Sequence, residues 1–351
     1  MSLIRKLKFH PFFIKLFNWE YWSFNVLYAP LYPYWFWLCL KARAFFYINA
    51  ANPGIRNGGF LMESKKEIYD ILPEGTYPTT LFFPAGTNAE IVWKTITNER
   101  LHFPLIGKPD IGMRGMSVQK LESESEVKNY VAQADFDFLI QAYIPFEEEV
   151  GIFYYRIPGE EKGTITGIVG KEFLTVSGDG ISTIDQLLQL DPRYILQLSV
   201  LRRTMAEELS IVLQKGEQKI LVPYGNHARG AKFIDLSYLA DESLNQVIDQ
   251  LAKKIEGFYY GRMDIRYESI ELLREGKNFM IVELNGSGSE PTHMYDPRHS
   301  VFFAWREIAR HWYLMCKISM INHAKGVPYM TKAEGLAMLK ANTALVKKIS
   351  Q

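Results

Sequence analysis

The chain has 351 residues, 48% hydrophobic and 23% charged, enough to bury a sizeable core and to divide into two or three lobes. Forty Lys and Arg against 39 Asp and Glu leave a net charge of +1. No global field therefore favours nucleic acid, and no long charge run or RNA-binding signature replaces it. The two cysteines, Cys39 and Cys316, are far apart in apolar contexts. They read as free thiols of a reducing, cytoplasmic compartment and exclude a disulfide framework or zinc site.

The first fifty residues hold four of the seven tryptophans, Trp19, Trp22, Trp35 and Trp37, and the twenty residues Tyr21–Leu40 carry no charge. A membrane-spanning helix is disfavoured because Pro30 and Pro33 interrupt it and tyrosines recur along it. No signal-peptide pattern is present. Two readings stay open. One is an aromatic helical arm packed on the protein's own body or on a second subunit, as in a homodimer. The other is shallow docking at a membrane surface, since Lys6, Lys8, Lys15, Lys41 and Arg43 flank the stretch.

Residues 52–59 (NPGIRNGG) are turn formers. Ile68, Ile71 and Leu72 then give a short helical stripe ending at Pro73, and a strand opens near Tyr77. The segment Phe103–Pro109 is an apolar strand carrying Lys108, followed by a loop with Gly112, Arg114, Gly115 and Met116. A lysine entering from a strand can reach phosphates, and small loop residues let backbone N–H groups close over them. The Walker pattern is absent. Ser123-x-x-Glu126 is a capping box for a helix with Val127, Tyr130 and Val131 on one face. Asp137–Ile144 is a buried strand.

Ser177-Gly178-Asp179-Gly180 is a turn leading to a Ser182/Thr183 cap and a helix stopped at Asp191-Pro192. In the loop Asn226–Ala231, His227 and Arg229 suit a carboxylate or phosphate; a structural role for His227 is the alternative. Glu242–Glu256 is an amphipathic helix stopped by Gly257. Phe258–Tyr267 and Phe279–Gly286 are alternating strands. Period 2 puts Arg262, Asp264 and Arg266 on one face of the first, and Glu283 and Asn285 on one face of the second. Asp264, Glu283 and Asn285 make an all-oxygen set of the kind Mg²⁺ prefers. The alternative is an ion pair of Asp264 with Arg262 or Arg266 on a solvated face. Gly286–Asp296 is a polar loop in which Ser289, Glu290 and His293 are candidate substrate contacts. Val301–Ile321 reads as a largely buried helix, and the residues from Thr331 as an amphipathic helix without a motif.

The ordered set Lys108, Gln141–Ile144, Lys171, Arg262-x-Asp264 and Glu283-x-Asn285 closely resembles the ATP-grasp carboxylate–amine ligases, D-alanine–D-alanine ligase among them. The Gly-Asp-Gly-x-x-Thr-Ile-like helix and the Asn226 loop are similar to the ATP-grasp domain of cyanophycin synthetase and bifunctional glutathione synthetases. The resemblance covers roughly residues 63–297. It implies an α+β fold of two lobes with antiparallel sheets. The expected division is an aromatic arm at 1–60, an ATP-grasp domain at 61–325 and a C-terminal helix and tail at 326–351. Within the domain, a glycine-rich-loop lobe spans about 76–145 and a metal lobe about 146–325.

For ATP, the resemblance implies Lys66, ahead of Lys65, on the α-phosphate, Lys108 and the 112–116 loop on the phosphates, and Lys171 as a further nucleotide-binding residue. It also implies Gln141, Ala142, Tyr143 and Ile144 at adenine and Glu149 at the ribose. Asp264, Glu283 and Asn285 would hold Mg²⁺, with Mn²⁺ as a substitute, and Arg262 would face the transferring phosphoryl group, with His227 and Arg229 beside it. Gln141 stands where glutamate is usual, and the front of the chain lacks the α/β domain many of these ligases carry. The implied reaction joins a small carboxylate, an amino acid or peptide, to an amine through an acyl phosphate. A phosphotransferase on the same scaffold and a membrane-docked nucleotide-binding partner protein are the rival classes.

Overall fold

The computed structural model describes residues 9–112, 117–222 and 231–349. The chain is an α+β protein built on antiparallel sheets, with a helical, aromatic N-terminal segment, as the sequence leads one to expect. It divides into two compact units. One comprises Met1–Tyr32, Val169–Asp235 and Thr292–Glu307; the other comprises Pro33–Ile168, Leu236–Pro291 and Ile308–Gln351.

The second unit carries two sheets. The first contains β1 (Thr80–Phe83), β2 (Leu105–Pro109), β3 (Gln119–Leu121) and β4 (Phe138–Ala142), in the order β1-β4-β2-β3 with every neighbour antiparallel. Helices Ala89–Asn98 and Glu124–Gln133 pack on it through Val92, Ile96, Val127 and Tyr130, which close over Phe83, Leu105 and Phe138. Ser123 caps the second helix, accepting from Glu126 N; the Glu126 carboxylate turns back to the Glu122 amide rather than to Ser123 itself.

The other sheet contains β5 (Glu148–Tyr155), β6 (Thr164–Glu172), β10 (Tyr260–Tyr267) and β11 (Phe279–Asn285), in the order β11-β10-β5-β6. Helix Glu242–Lys254 covers it with Leu244, Ile248 and Leu251. Gly257, at φ +68°, stops the chain after that helix, as the sequence indicates. The ladder between β10 and β11 carries a bulge after Asp264, where Ile265 pairs with Ile281 instead of Val282.

The N-terminal aromatic residues of this unit are packed against protein. Trp35 meets Trp312 edge-on at 4.9 Å, and Leu38, Tyr47 and Ile48 are buried with Phe153, Met315 and Cys316. The outward side leaves Phe36, Trp37 and Leu40 exposed. No helix among the described residues is long and apolar enough to cross a membrane.

In the first unit, the last residues of β6 pair with β9 (Lys232–Asp235), and β7 (Leu174–Ser177) pairs with β8 (Gln218–Val222). Thr183 forms a full capping box with Gln186 for helix Ile184–Leu188. Asp191 does not end that helix but caps the next, Pro192–Thr204. Trp19 stacks on Tyr295 and donates to His299 O, so the aromatic segment is packed here too.

Candidate active site

The register of β10 and β11 sets Asp264 opposite Glu283 and Arg262 opposite Asn285. Residues paired across an antiparallel ladder share a face, so all four side chains lie together. The face is partly buried and not freely solvated: Asp264 is 5% exposed, and Arg262, Glu283 and Asn285 are half-buried. Arg262 grips Asp264 with two hydrogen bonds, Nε to Oδ1 at 2.7 Å and Nη2 to Oδ2 at 3.0 Å. The ion-pair reading and the clustered-oxygen reading therefore describe the same four residues. Burial opposes the Arg262 charge, but Asp264, Glu283 and Glu290 more than offset it and hold the guanidinium firmly protonated. Arg266 belongs elsewhere, 3.4 Å from Glu149 directly across on β5.

Glu283 and Asn285 border a cavity of about 200 Å³. Its polar lining also includes Glu63, Lys65, Tyr69 and Ser289, with Gly112 at one side. Each is placed by a local cause. Ser64 caps helix Lys65–Ile71 by accepting from Glu67 N, and Asp110, at the end of β2, takes the Lys66 amide. Lys65 Nζ then reaches Asp110 O at 3.2 Å. Tyr69, one turn on, donates to Val282 O at 2.7 Å, the carbonyl of the extra residue at the bulge.

Behind Tyr69 lies Lys108, 5% exposed, which donates to the Tyr69 hydroxyl at 2.8 Å and to Gln141 Oε1 at 2.9 Å. Gln141 in turn donates to Thr80 Oγ1. Lys108 does not line the cavity itself. Burial lowers its ammonium to about 8, against a smaller opposing pull from Glu283.

Glu63 accepts a hydrogen bond from Gly286 N at 3.2 Å. Desolvation pushes its carboxyl up to about 8, the Gly286 amide working the other way and Glu283 adding to the rise. Two carboxylates facing one small cavity are a donor set that a cation would relieve. Asn285 Nδ2, an amide donor, is buried with no hydrogen-bond partner among the described residues. Glu283 and Asn285 bring to this cavity hard oxygens of the kind Mg²⁺ takes, while both Asp264 oxygens are engaged by Arg262 and no group of three His, Cys, Asp or Glu among the described residues has metal-binding geometry.

A glycine-lined seam closes the base of the cavity. Gly58 O and Gly59 O accept from Ser287 N and Gly288 N at 3.0 and 2.8 Å. A Cβ on Gly59, at φ +70°, would stand 2.6 Å from Gly286 Cα. Fully buried Asn52 fixes this loop by donating to Gly58 O and Tyr260 O and accepting from the Tyr259 and Tyr260 amides.

Several expected residues are placed otherwise. Lys66 is exposed and paired with Asp70, four residues along the same helix, so Lys65 takes its place at the cavity. Ala142 spends its amide on Thr79 O, and Tyr143 is half-exposed with Lys120 over its ring; Ile144 is buried. Glu149 is held by Arg266. Lys171 belongs to the other unit, as does His293, which lies 3.6 Å from Glu307. Arg114, Gly115, Met116, His227 and Arg229 lie outside the described residues.

Sequence reasoning missed Glu63 and Tyr69, whose neighbours in the stretch read only as a short helical stripe. The helix expected from Thr331 is present as Lys332–Ile349, but sequence reasoning gave it no place at the site, where its Asn342, Leu345 and Val346 line the cavity.

No family model matches the sequence, and no curated protein matches it. Solved structures do. A bifunctional glutathione synthetase from Pasteurella multocida is similar at 14% identity and a TM-score of 0.42, over 72% of this chain and 35% of that one. The VanG D-Ala:D-Ser ligase from Enterococcus faecalis is similar at 14% identity and a TM-score of 0.37, over 71% of this chain and 57% of that one. A D-alanine–D-alanine ligase from Bacillus anthracis is similar at 13% identity and a TM-score of 0.41, over 75% and 69%. The chain spans about a third of the length of the first and just over half of the second.

Proposed function

We propose that the chain is an ATP-dependent carboxylate–amine ligase, with the arm, ATP-grasp domain and C-terminal helix divided as the sequence resemblance implies. One arrangement carries this reading: Arg262, Asp264, Glu283 and Asn285 share a partly buried face of two paired strands beside a small cavity. Asp264, Glu283 and Asn285 would hold Mg²⁺, which when bound offsets phosphate charge. Arg262 is fixed, charged and desolvated, so it suits the equatorial oxygens of a phosphoryl group in transfer, where preorganised charge matters most. Lys108 pairs with a phosphate by exchanging its bond to Tyr69 or Gln141.

The carboxylate oxygen of one substrate attacks the terminal phosphorus and ADP leaves. The amine of the second then attacks the acyl carbon, phosphate leaves, and the nitrogen gives up a proton. No protein nucleophile is required, since positioning supplies much of the rate.

The test is a panel of amino acids and dipeptides assayed for release of ADP and phosphate. A ligase releases ADP productively only with both partners present; release without an amine would identify a phosphotransferase. Asp264→Asn and Glu283→Gln should each abolish Mg²⁺-dependent turnover while the fold is kept, and near-normal turnover in either rejects the reading.

A further inference from the structure

The C-terminal helix carries no motif, yet it reaches the candidate site. Asn342, Leu345 and Val346 recur at helical spacing, are half-buried and wall the cavity. The same side of the helix is anchored further back by buried Met338 and by Gly335, where an added Cβ would stand 2.4 Å from the Phe46 ring. Besides Leu345 and Val346, Phe60, Ile68 and Ile111 add apolar lining. The polar lining includes the carboxylates Glu63 and Glu283 beside Lys65, Tyr69, Asn285 and Ser289. Of these, Glu63 uses one oxygen on Gly286 N and has no other hydrogen-bond partner among the described residues. At about 200 Å³ the space is below the usual range for drug-sized ligands and suits a molecule of amino-acid size.

We infer that this cavity is the amine-substrate pocket, that Glu63 receives the substrate ammonium, and that Leu345 and Val346 of the C-terminal helix select for a compact aliphatic side chain. The inference deepens the proposed ligase reading and rests on it for the role of the amine. The physical grounds are separate. A half-buried carboxylate with an unused oxygen favours a cationic donor. An apolar wall rewards each methylene it covers and leaves a polar side chain unpaired.

Direct binding tests this on the full chain, by calorimetry with leucinamide, glycinamide and 4-methylpentanoate, each with and without Mg²⁺ and a non-hydrolysable ATP analogue. Leucinamide should bind about tenfold more tightly than glycinamide, which lacks the aliphatic group, and than 4-methylpentanoate, which lacks the cation. Glu63→Gln should erase the preference over 4-methylpentanoate. Leu345→Ala, or Val346→Ala should the first fail to fold, should shrink the preference over glycinamide and admit phenylalaninamide. Equal affinities for the three probes, or wild-type selectivity in the helix variants, overturn the inference. So does a Glu63→Gln protein that loses the nucleotide analogue while keeping leucinamide, since Glu63 would then serve the metal. Nucleotide binding without amine selectivity rejects this inference alone, whereas amine selectivity without nucleotide binding rejects the ligase reading alone.

Discussion

Gln141 accepts a hydrogen bond from Lys108 at 2.9 Å, and the pair is buried between two strands of one sheet. An amide there satisfies the ammonium's geometry without answering its charge. That is why burial, unopposed by a close carboxylate, lowers Lys108 to about 8.

The sign of the pH dependence follows. The unfolded chain binds more protons than the folded chain between about 8 and the ordinary lysine value of 10.5. Lys108 therefore contributes least favourably below about pH 8, and its contribution improves as pH rises toward 10.5. A shift of this size is worth about 3 kcal/mol. Chemical denaturation across that window should show wild type gaining on Lys108→Met by that order. Gln141→Glu should flatten the gain, because a carboxylate restores the ammonium's charge partner. Parallel curves for wild type and Lys108→Met would mean that Lys108 titrates normally.

Asn52→Ala removes a side chain that makes four hydrogen bonds, three buried and one partly buried. Leaving backbone groups at Gly58, Tyr259 and Tyr260 unpaired should cost about 3 kcal/mol or more. Urea midpoints measure this, and a loss under about 1 kcal/mol would place the clamp elsewhere.

Gly59→Ala and Gly75→Ala form a matched pair. Both positions have positive φ, +70° and +77°, but a Cβ on Gly59 would meet Glu63 Oε1 at 2.5 Å and Gly286 Cα at 2.6 Å, whereas nothing lies within 4 Å of one on Gly75. The second change should cost only the backbone strain, about 1 kcal/mol, and the first at least about 3 kcal/mol. Equal losses in thermal unfolding would show that the Gly59–Gly286 contact yields readily.

Trp35→Ala should cost about 3–5 kcal/mol, since the ring is wedged between Tyr47 and Trp312. The full chain should also stay in the supernatant when spun with anionic liposomes. Lipid-dependent sedimentation, or an unchanged melting temperature in the Trp35 variant, would return the arm to the interface reading.

The paired strands were legible because two short alternating runs with charged and polar residues at every second position leave few other arrangements for Arg262, Asp264, Glu283 and Asn285. The same logic fails further down β11. Ile281 and Leu284 are both core residues although three apart, because the bulge at Val282 breaks the period, and a single sequence carries no sign of it. The resemblance puts Lys66 ahead of Lys65, whereas it is Lys65 that lines the cavity. The choice turns on which way Ser64 starts the helix and where Asp110 receives it, a tertiary fact. Leu345 and Val346 look like ordinary amphipathic residues because the helix is distant in sequence from everything it walls.

Strand β11 is terminal in its sheet order, so its outer backbone groups would template pairing with another molecule. Thr76 O takes the Ile281 amide, Tyr69 takes the Val282 carbonyl, and the glycine loop takes the amides just beyond Asn285. The residues that shape the cavity therefore also shield an open sheet edge. A variant that loosens this loop should aggregate through intermolecular strand addition before it unfolds globally.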